Sequence, residues 1–439
     1  MMPRMIHFLK TISNPQQIVA DHSSRDTTAC ISFAFLHKQS YLSHGNDILL
    51  ACVCLFQKAR IQCLIKKSNE APSLDHLADA QLAPESYFKE AELLWEQKGI
   101  TLDAAWRLET VIIPKPWGAE VWYTGMEDRG VCCVEGTPLP WLLSLLDFGL
   151  DEHAESSLKN GPILLKILDP YPDPNTGDLY FELHEKKTEV YIVTSIDHNV
   201  WPDGIGQIRY GFNQEKIDKY NTVGEFKSDY LASVEAYKET RDKIDSMLND
   251  DSNHSLLPDD LHLNEQSLKK EMYSFTNLKS LHLGDVIHVQ PYFPHSLQHG
   301  VRVIEFQTAH YERYILSFTQ KVLTQDHWDT SQALTLAETK LPHDQPLTII
   351  ENSQGMCLER IADFEQFSTY RLSLEPEGRY EMKCSQYMLA IGIKGTSSIK
   401  NSWSEIAPLA PEESVLIQAG EISISTDSDK SVLLIAMPN

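Results

Sequence analysis

Two short segments that combine histidine and carboxylate side chains, each set among apolar and β-branched residues, constrain this chain most strongly. The first runs from Glu182 to Glu189 and contains His184, and the second ends at His295. Residues i and i+2 of a strand face the same side, so Glu182 and His184 can point into one cavity. Glu189 can point into the same cavity from a neighbouring strand. Imidazole and carboxylate ligands together suit zinc, iron or manganese. If the segments meet, the chain builds a metal centre on a β-barrel.

The pattern around these segments is mainly β, with one helical interruption. Apolar runs in residues 162–212 predict a series of strands, and strands resume at Leu281 and continue to about Phe318. Between them, residues 213–274 alternate charged and apolar side chains at helical spacing. We therefore expect a catalytic domain at 73–340 that carries a helical insertion at 213–274.

The C-terminal part, residues 341–439, contains short β-like runs at regular spacing. No histidine follows His343. The sequence therefore predicts a second β-domain that has no histidine-based metal site of its own.

Residues 1–72 differ from the rest in charge and periodicity. Basic residues outnumber acidic ones here, and four of the eight cysteines fall in this stretch. We expect an appended, poorly ordered segment; a translation start further downstream is an alternative that the sequence leaves open.

Composition excludes several functions. A formal net charge of −24 argues against a nucleic-acid binder that depends on phosphate contacts. The longest apolar stretch, residues 48–56, is too short to span a bilayer, so no membrane association is expected. Cysteines without metal-like spacing indicate reduced thiols, and a cytoplasmic location is the simplest expectation.

The metal-type segments resemble the two motifs of the cupin superfamily. The first cupin motif is H-x-H, three or four residues, and then E; this chain has Glu182-x-His184, four residues, and then Glu189. The second motif places a histidine eleven residues after a glycine, the spacing from Gly284 to His295. The resemblance implies a jelly-roll barrel, a second cupin-like domain at the C-terminus, and Glu182, His184, Glu189 and His295 as metal ligands.

Within the cupins, the chain resembles type I mannose-6-phosphate isomerase over roughly residues 106–439. Residues 187–189 match the family's K-T-E, residues 115–118 its early W-G turn, residues 304–307 its E-I-Q, and residues 311–314 its closing T-Y-R. The resemblance implies a metal-dependent aldose–ketose isomerase acting through an enediol, with mannose 6-phosphate and fructose 6-phosphate as the leading pair. Zinc is the leading metal, with iron and manganese as alternatives.

Three further residues follow from this resemblance and from their local setting. Lys187 would contact the reacting oxygens or transfer a proton. Glu305, a carboxylate within an apolar strand, is the best candidate base. Arg313 would stabilise the enediolate or bind phosphate.

Departures from the family keep other functions open. Glu182 stands where the family has glutamine, and it is either a fourth ligand or a sign of a different sugar. The alternatives are an isomerase of another sugar such as lyxose, an iron-dependent cupin oxygenase, and a non-catalytic sugar-binding cupin. The expected partner is a small sugar phosphate, and the sequence does not define an oligomeric state.

Overall fold

The fold is described from a computed structural model. It describes residues 5–439 except 24–27, 40–44, 59, 79–81, 127–129, 147–161, 250–257, 318, 320–327, 354, 403 and 428. Within the described residues, every helix is too short or too polar to cross a lipid bilayer.

The strands are, in chain order, β1 Met5–Ile12, β2 Ala29–His37, β3 Ile48–Gln57, β4 Arg60–Lys67, β5 Ile100–Thr101, β6 Trp106–Arg107, β7 Val111–Lys115, β8 Gly118–Trp122, β9 Cys133–Val134, β10 Thr137–Pro138, β11 Leu164–Pro170, β12 Phe181–Leu183, β13 Glu189–Ile196, β14 Gly206–Phe212, β15 Thr276–Leu281, β16 Val286–Val289, β17 His295–Leu297, β18 Val301–Gln307, β19 Tyr314–Ser317, β20 Thr348–Ser353, β21 Met356–Asp363, β22 Phe367–Leu374, β23 Arg379–Lys394, β24 Ser397–Lys400, β25 Glu405–Leu409, β26 Ser414–Ser425 and β27 Ser431–Pro438. The helices are α1 Pro15–Ser23, α2 Asp75–Ala78, α3 Pro84–Trp95, α4 Leu139–Leu143, α5 Gln214–Ile217, α6 Val223–Asn249, α7 Asp259–Ser274 and α8 Thr330–Leu336.

Two sheets in the middle of the chain enclose the residues predicted to be functional. One has six strands in the order β16-β13-β18-β11-β8-β7, and the other has five in the order β15-β14-β17-β12-β19. An apolar core that includes Tyr191 and Val303 from the first sheet and Tyr210 and Leu297 from the second lies between them. Side chains that point inward from both sheets therefore share one interior.

The helical insertion covers the outer face of the five-stranded sheet. Phe181, Leu183 and Phe212 point outward and pack against Phe226 and Tyr230 of α6. The predicted insertion is therefore present as α5, α6 and α7, and the strand that follows it, β15, begins at Thr276, five residues before the predicted Leu281. Only Phe275 lies between the end of α7 and the start of β15. The chain therefore returns to the sheet directly, which explains why β15 begins earlier than predicted.

The six-stranded sheet buries its outer face against the N-terminal and C-terminal parts of the chain. Leu165 and Phe306 of this sheet belong to one apolar cluster with Phe33 of β2 and Leu389 of β23. The C-terminal strands form a nine-stranded sheet that β6 joins by pairing with β26. The pairing of β6 with β26 crosses the predicted boundary near residue 340, and the pairing of β4 with β5 crosses the one near residue 72, so both boundaries stay predictions.

The N-terminal segment forms a sheet, which differs from the expected poor order. Strands β1 to β5 make a five-stranded sheet in which β1 and β2 are parallel and the following pairs are antiparallel. The apolar run at residues 48–56 is the central strand β3, and it is buried on both faces. A strand buried on both faces has no alternating pattern, so its apolar run fits a buried helix as well as a buried strand.

Candidate metal centre and active-site cavity

Side chains along β12 alternate between the two faces of the sheet, and Glu182 points toward the interior. Its neighbours Phe181 and Leu183 pack outward on the helical insertion, so Glu182 faces the opposite way. Glu182 pairs in register with His295, the first residue of β17, which places the two side chains side by side on one face. His184 follows two residues after Glu182 and is 1% exposed.

The opposite sheet supplies Glu189 by the same alternation. Val190 and Ile192 of β13 point into the outer core, so Glu189 and Tyr191 point toward the interior. Glu189 is 1% exposed. The two segments singled out in the sequence therefore meet, one from each sheet.

The four side chains surround a common point. Glu189 Oε1 lies 3.6 Å from His184 Nε2, and Glu189 Oε2 lies 3.3 Å from His295 Nε2. Glu182 Oε1 lies 3.9 Å from His184 Nε2. Ligand atoms of Glu182, His184 and His295 all lie within 4.8 Å of one another. Glu189 faces both imidazoles.

Both imidazoles direct a lone pair toward this point. His184 Nδ1 lies 2.9 Å from the carbonyl oxygen of Glu312, and His295 Nδ1 lies 3.1 Å from that of Phe293. A carbonyl oxygen only accepts, so each Nδ1 carries the hydrogen and each Nε2 carries a lone pair. Both Nε2 atoms are buried without a hydrogen-bond partner. Burial, with the nearby Lys187 ammonium, lowers the pKa of His184 well below its ordinary value, which favours the neutral ligand form.

Glu189 is held as a carboxylate. Burial alone would raise its pKa, but Lys187 and the two imidazoles outweigh burial and hold the pKa well below its usual range. Lys187 Nζ lies 2.6 Å from Glu189 Oε1, and the Tyr191 hydroxyl donates to Oε2 at 2.9 Å. Such outer partners orient metal-binding carboxylates in many proteins.

The donor set fits a divalent metal. For zinc bonds of about 2.0–2.2 Å, tetrahedral ligand atoms lie roughly 3.3–3.6 Å apart. The two imidazole–Glu189 distances of 3.6 and 3.3 Å, each to a different Glu189 oxygen, fall in this range, and the 3.9 Å distance from Glu182 to His184 is slightly longer. Two neutral imidazoles and two carboxylates balance a dication. The buried, unpartnered Nε2 atoms would otherwise cost free energy, and a bound cation would remove that cost.

A cavity of about 270 Å³ opens beside the donors. Its lining is mostly charged: Lys115, Glu120, Trp122, Lys166, Glu182, Lys187, Gln307, His310, Tyr311 and Arg313. Four cationic and two anionic side chains line this wall, which suits a polar ligand that carries several hydroxyl groups.

A buried cluster of charges forms another part of the wall, on the same six-stranded sheet as Glu189. In-register pairing places Lys166 of β11 beside both Glu305 of β18 and Trp122 of β8. Lys166 Nζ lies 3.2 Å from Glu305 and 3.9 Å from Glu120, and Lys115 Nζ lies 3.0 Å from Glu120. All four charged side chains are at most 11% exposed.

The two carboxyls of this cluster differ in pKa. Burial and the nearby Glu189 raise the pKa of Glu305 well above its ordinary value, although Lys166 opposes this shift. Burial would also raise the pKa of Glu120, but Lys166 and Lys115 outweigh it and lower the pKa to about 2. Glu305 is fully buried behind Lys166, whereas Glu120 lines the cavity.

Arg313 lies at the more exposed side of the cavity. Its Nη1 lies 3.6 Å from Glu182 Oε2, and its guanidinium stands over the Tyr180 ring at 5.2 Å. The neighbouring Glu312 accepts a hydrogen bond from the Lys186 backbone N–H.

The structure therefore gathers all seven predicted site residues, six of them around the cavity and its donors and Glu305 directly behind the wall. Two further histidines differ in position: His310 lines the cavity, whereas His299 pairs with Asp178 at 2.7 Å and stacks on Trp201. Sequence reasoning missed Glu120 and Tyr191. Glu120 shares the buried face of β8 with Gly118 and Trp122, and that period-two pattern was its available signal.

Comparison with solved structures places this geometry in a known fold. The mannose 6-phosphate isomerase from Bacillus subtilis is 15% identical with a TM-score of 0.52, covering 76% of this chain and 99% of its own. The apo enzyme from Salmonella typhimurium is 11% identical with a TM-score of 0.53, covering 76% and 99%. A zinc-bound mannose 6-phosphate isomerase is 12% identical with a TM-score of 0.53, covering 76% and 100%.

The chain has the fold of the mannose 6-phosphate isomerases. The mainly β, cupin-like architecture predicted from the sequence is thereby confirmed, and so is the resemblance to these enzymes. No protein-family model matches the chain. No curated protein matches it either. At 11–15% identity the likeness establishes the fold, and the chemistry must be argued from the site itself.

Proposed function

We propose that this protein is a metal-dependent aldose–ketose isomerase that interconverts mannose 6-phosphate and fructose 6-phosphate. One observation carries the proposal: two imidazoles and two carboxylates converge beside a charged cavity of about 270 Å³ whose wall also presents Lys187, Lys166 and Arg313. The solved structures with this fold that are named for mannose 6-phosphate isomerase activity support the choice of substrate.

The reaction moves a proton between C1 and C2 and a second proton between the two oxygens. It therefore needs a base for the carbon-bound proton, donors for the oxygens, and positive charge near the enediolate. Glu182, His184, Glu189 and His295 are the proposed ligands of one dication, zinc first, with iron or manganese as alternatives. A bound dication would act as a Lewis acid that stabilises negative charge on the sugar oxygens.

Lys187 is the proposed donor to the reacting oxygens. Its Nζ is 2.6 Å from ligand Glu189 and also lines the cavity, so it lies between the donor set and the space for substrate. Arg313 is the proposed group for the enediolate or the phosphate, because its planar fork suits either anion. Glu182 holds Arg313 at this side of the cavity.

Glu305 is the proposed base. Burial raises its pKa, and a carboxylate with a raised pKa is a stronger base near neutral pH. Since Glu305 stands behind Lys166, Glu120 is the rival carboxylate with direct access but a pKa of about 2. Comparing Glu305→Gln with Glu120→Gln distinguishes them: the base variant loses roughly 10²–10⁴-fold in kcat.

The decisive experiment reconstitutes purified, metal-stripped protein with zinc, manganese or iron and follows conversion of mannose 6-phosphate to fructose 6-phosphate in a coupled assay. Turnover with at least one metal is expected. No turnover with any of the three rules out the substrate assignment, and turnover only on unphosphorylated mannose or lyxose moves the assignment to another sugar.

One observation supports a second candidate, an iron-dependent oxygenase. Glu182, His184 and His295 form a two-histidine, one-carboxylate set, which is the ligand set of many non-haem iron oxygenases. Such an enzyme would have no evident use for Lys187 and Arg313. Oxygen consumption by the iron-loaded protein in the presence of sugar, without isomerisation, would favour this candidate.

A further inference from the structure

The lysine and arginine side chains on the described cavity wall are each paired with a carboxylate of this chain. The pairs, with their N···O distances, are Lys187–Glu189 at 2.6 Å, Lys115–Glu120 at 3.0 Å, Lys166–Glu305 at 3.2 Å and Arg313–Glu182 at 3.6 Å. A cation that is already neutralised attracts an anionic ligand weakly. The cavity therefore binds an anion well only if one of these pairs opens.

The pair of Arg313 with Glu182 is the one most easily opened. Its 3.6 Å distance is longer than an N–H···O hydrogen bond of about 2.7–3.2 Å. Among the described residues, Glu182 Oε2 is buried without a hydrogen-bond partner. The Arg313 side chain is also 21% exposed, whereas the three lysines are at most 9% exposed. Arg313 can therefore turn toward a ligand in the cavity without breaking a hydrogen bond to Glu182.

Glu182 is divided between this guanidinium and the proposed metal donors. Its Oε1 lies 3.9 Å from His184 Nε2, and its other oxygen faces Arg313. A dication among the donors attracts the carboxylate more strongly than the single charge of a guanidinium does at a similar distance. Metal binding therefore weakens the hold of Glu182 on Arg313 and restores the positive charge of Arg313 to the cavity.

We propose that Glu182 makes anion binding at Arg313 depend on the metal. In the metal-free protein Glu182 neutralises Arg313; with a dication bound, the carboxylate serves the metal and Arg313 binds a phosphate group. This coupling rests on the metal site and the anionic substrate of the proposed function, and it adds an order of binding, metal before anion. Because such coupling is reciprocal, the anion also tightens metal binding by the same factor.

Titration calorimetry of the metal-stripped full chain with inorganic phosphate tests the anion side of the coupling, at fixed pH and ionic strength. Glu182→Gln should bind phosphate about tenfold more tightly than the unaltered protein, because a neutral amide does not neutralise Arg313. Adding Arg313→Met should abolish this gain. Glu185→Gln is the matched control. It removes a nearby carboxylate that accepts a hydrogen bond from the Tyr314 hydroxyl at 3.3 Å, and it should leave the phosphate affinity unchanged.

A chelator competition with manganese tests the metal side. Without phosphate, Arg313→Met should bind manganese about tenfold more tightly, because Glu182 is no longer shared with a guanidinium and a nearby cation is gone. Phosphate should tighten manganese binding in the unaltered protein. It should do so by a smaller factor in Arg313→Met, where only the direct attraction between the two ions remains. A guanidinium with a purely structural role would leave the manganese affinity unchanged.

Three results would each overturn the proposal, in variants whose folding is checked by circular dichroism. They are an unchanged phosphate affinity in Glu182→Gln, a gain that persists when Arg313→Met is added, and manganese binding by the unaltered protein that phosphate does not tighten. These are binding measurements, so they separate the coupling from the isomerase assignment. Turnover of mannose 6-phosphate without the coupling overturns only the coupling, and coupling without turnover overturns only the substrate assignment.

Discussion

Replacing Lys166 with methionine perturbs the buried charge cluster most selectively. The change removes one cation and keeps an unbranched side chain. Lys166 is 8% exposed at its side chain, and it lies 3.2 Å from the fully buried Glu305. In this variant Glu120 still has Lys115 at 3.0 Å and the Trp122 indole N–H at 3.1 Å. Glu305 is therefore the carboxylate that the substitution destabilises most.

Removing one partner of a buried ion pair typically costs 3–5 kcal/mol. Glu305 can limit this cost by taking a proton, because its pKa is already raised. We therefore expect the free energy of unfolding to fall by about 3 kcal/mol near neutral pH, the lower end of that range. A carboxyl with a raised folded-state pKa favours folding below its unfolded pKa and loses that contribution as pH rises through the folded value. Lys166→Met raises the folded-state pKa of Glu305 further. The loss of unfolding free energy is therefore small near pH 4.5, the ordinary pKa of this carboxyl, and grows toward neutral pH.

Urea unfolding of the metal-free protein, followed by tryptophan fluorescence at about pH 5 and about pH 8, measures this loss. The double variant with Glu305→Gln removes both charges and should recover about 2 kcal/mol of it. A Lys166→Met loss of unfolding free energy below about 0.5 kcal/mol at about pH 8, a loss that shrinks as pH rises, or strict additivity in the double variant would refute the reasoning.

Three further outcomes are expected. Lys187→Gln keeps metal binding but lowers kcat by roughly 10²–10⁴-fold, measured as turnover per bound metal; equal loss of metal would contradict its role as donor. Tyr191→Phe removes the 2.9 Å bond to Glu189 and weakens metal affinity about 10–100-fold in a chelator competition, with unchanged circular dichroism. Glu182→Gln also weakens metal affinity, because an amide oxygen is neutral; an unchanged dissociation constant would show that Glu182 is not a ligand.

Local spacing anticipated part of the candidate site, because Glu182 lies on a short, alternating strand and His184 directly follows that strand, so both can face one cavity. Glu189 begins the next strand and reaches the same interior from the opposite sheet. His295 lies beside Glu182 because β12 pairs with β17, and the motif spacing had already indicated this histidine as a ligand. The pairing of Lys166 with Glu305 could not be predicted from local sequence, because the two residues are 139 positions apart in the chain.

The N-terminal sheet was missed for a different physical reason. Its central strand β3 is covered on one face by α3 and on the other by the shared core, so its apolar run has no alternation. Glu120 was missed because a lone carboxylate on a short strand has no motif around it. Its burial becomes explicable only with Lys115 and Lys166 beside it.

The central claim is that the four donors hold one metal ion on which isomerisation depends. Titrating metal-stripped protein with zinc or manganese while following fructose 6-phosphate formation tests it directly. Turnover should rise linearly and reach a plateau at about one equivalent per chain, and His295→Ala should show neither binding nor turnover. Turnover by the metal-free protein, or full activity in His295→Ala, would contradict the account.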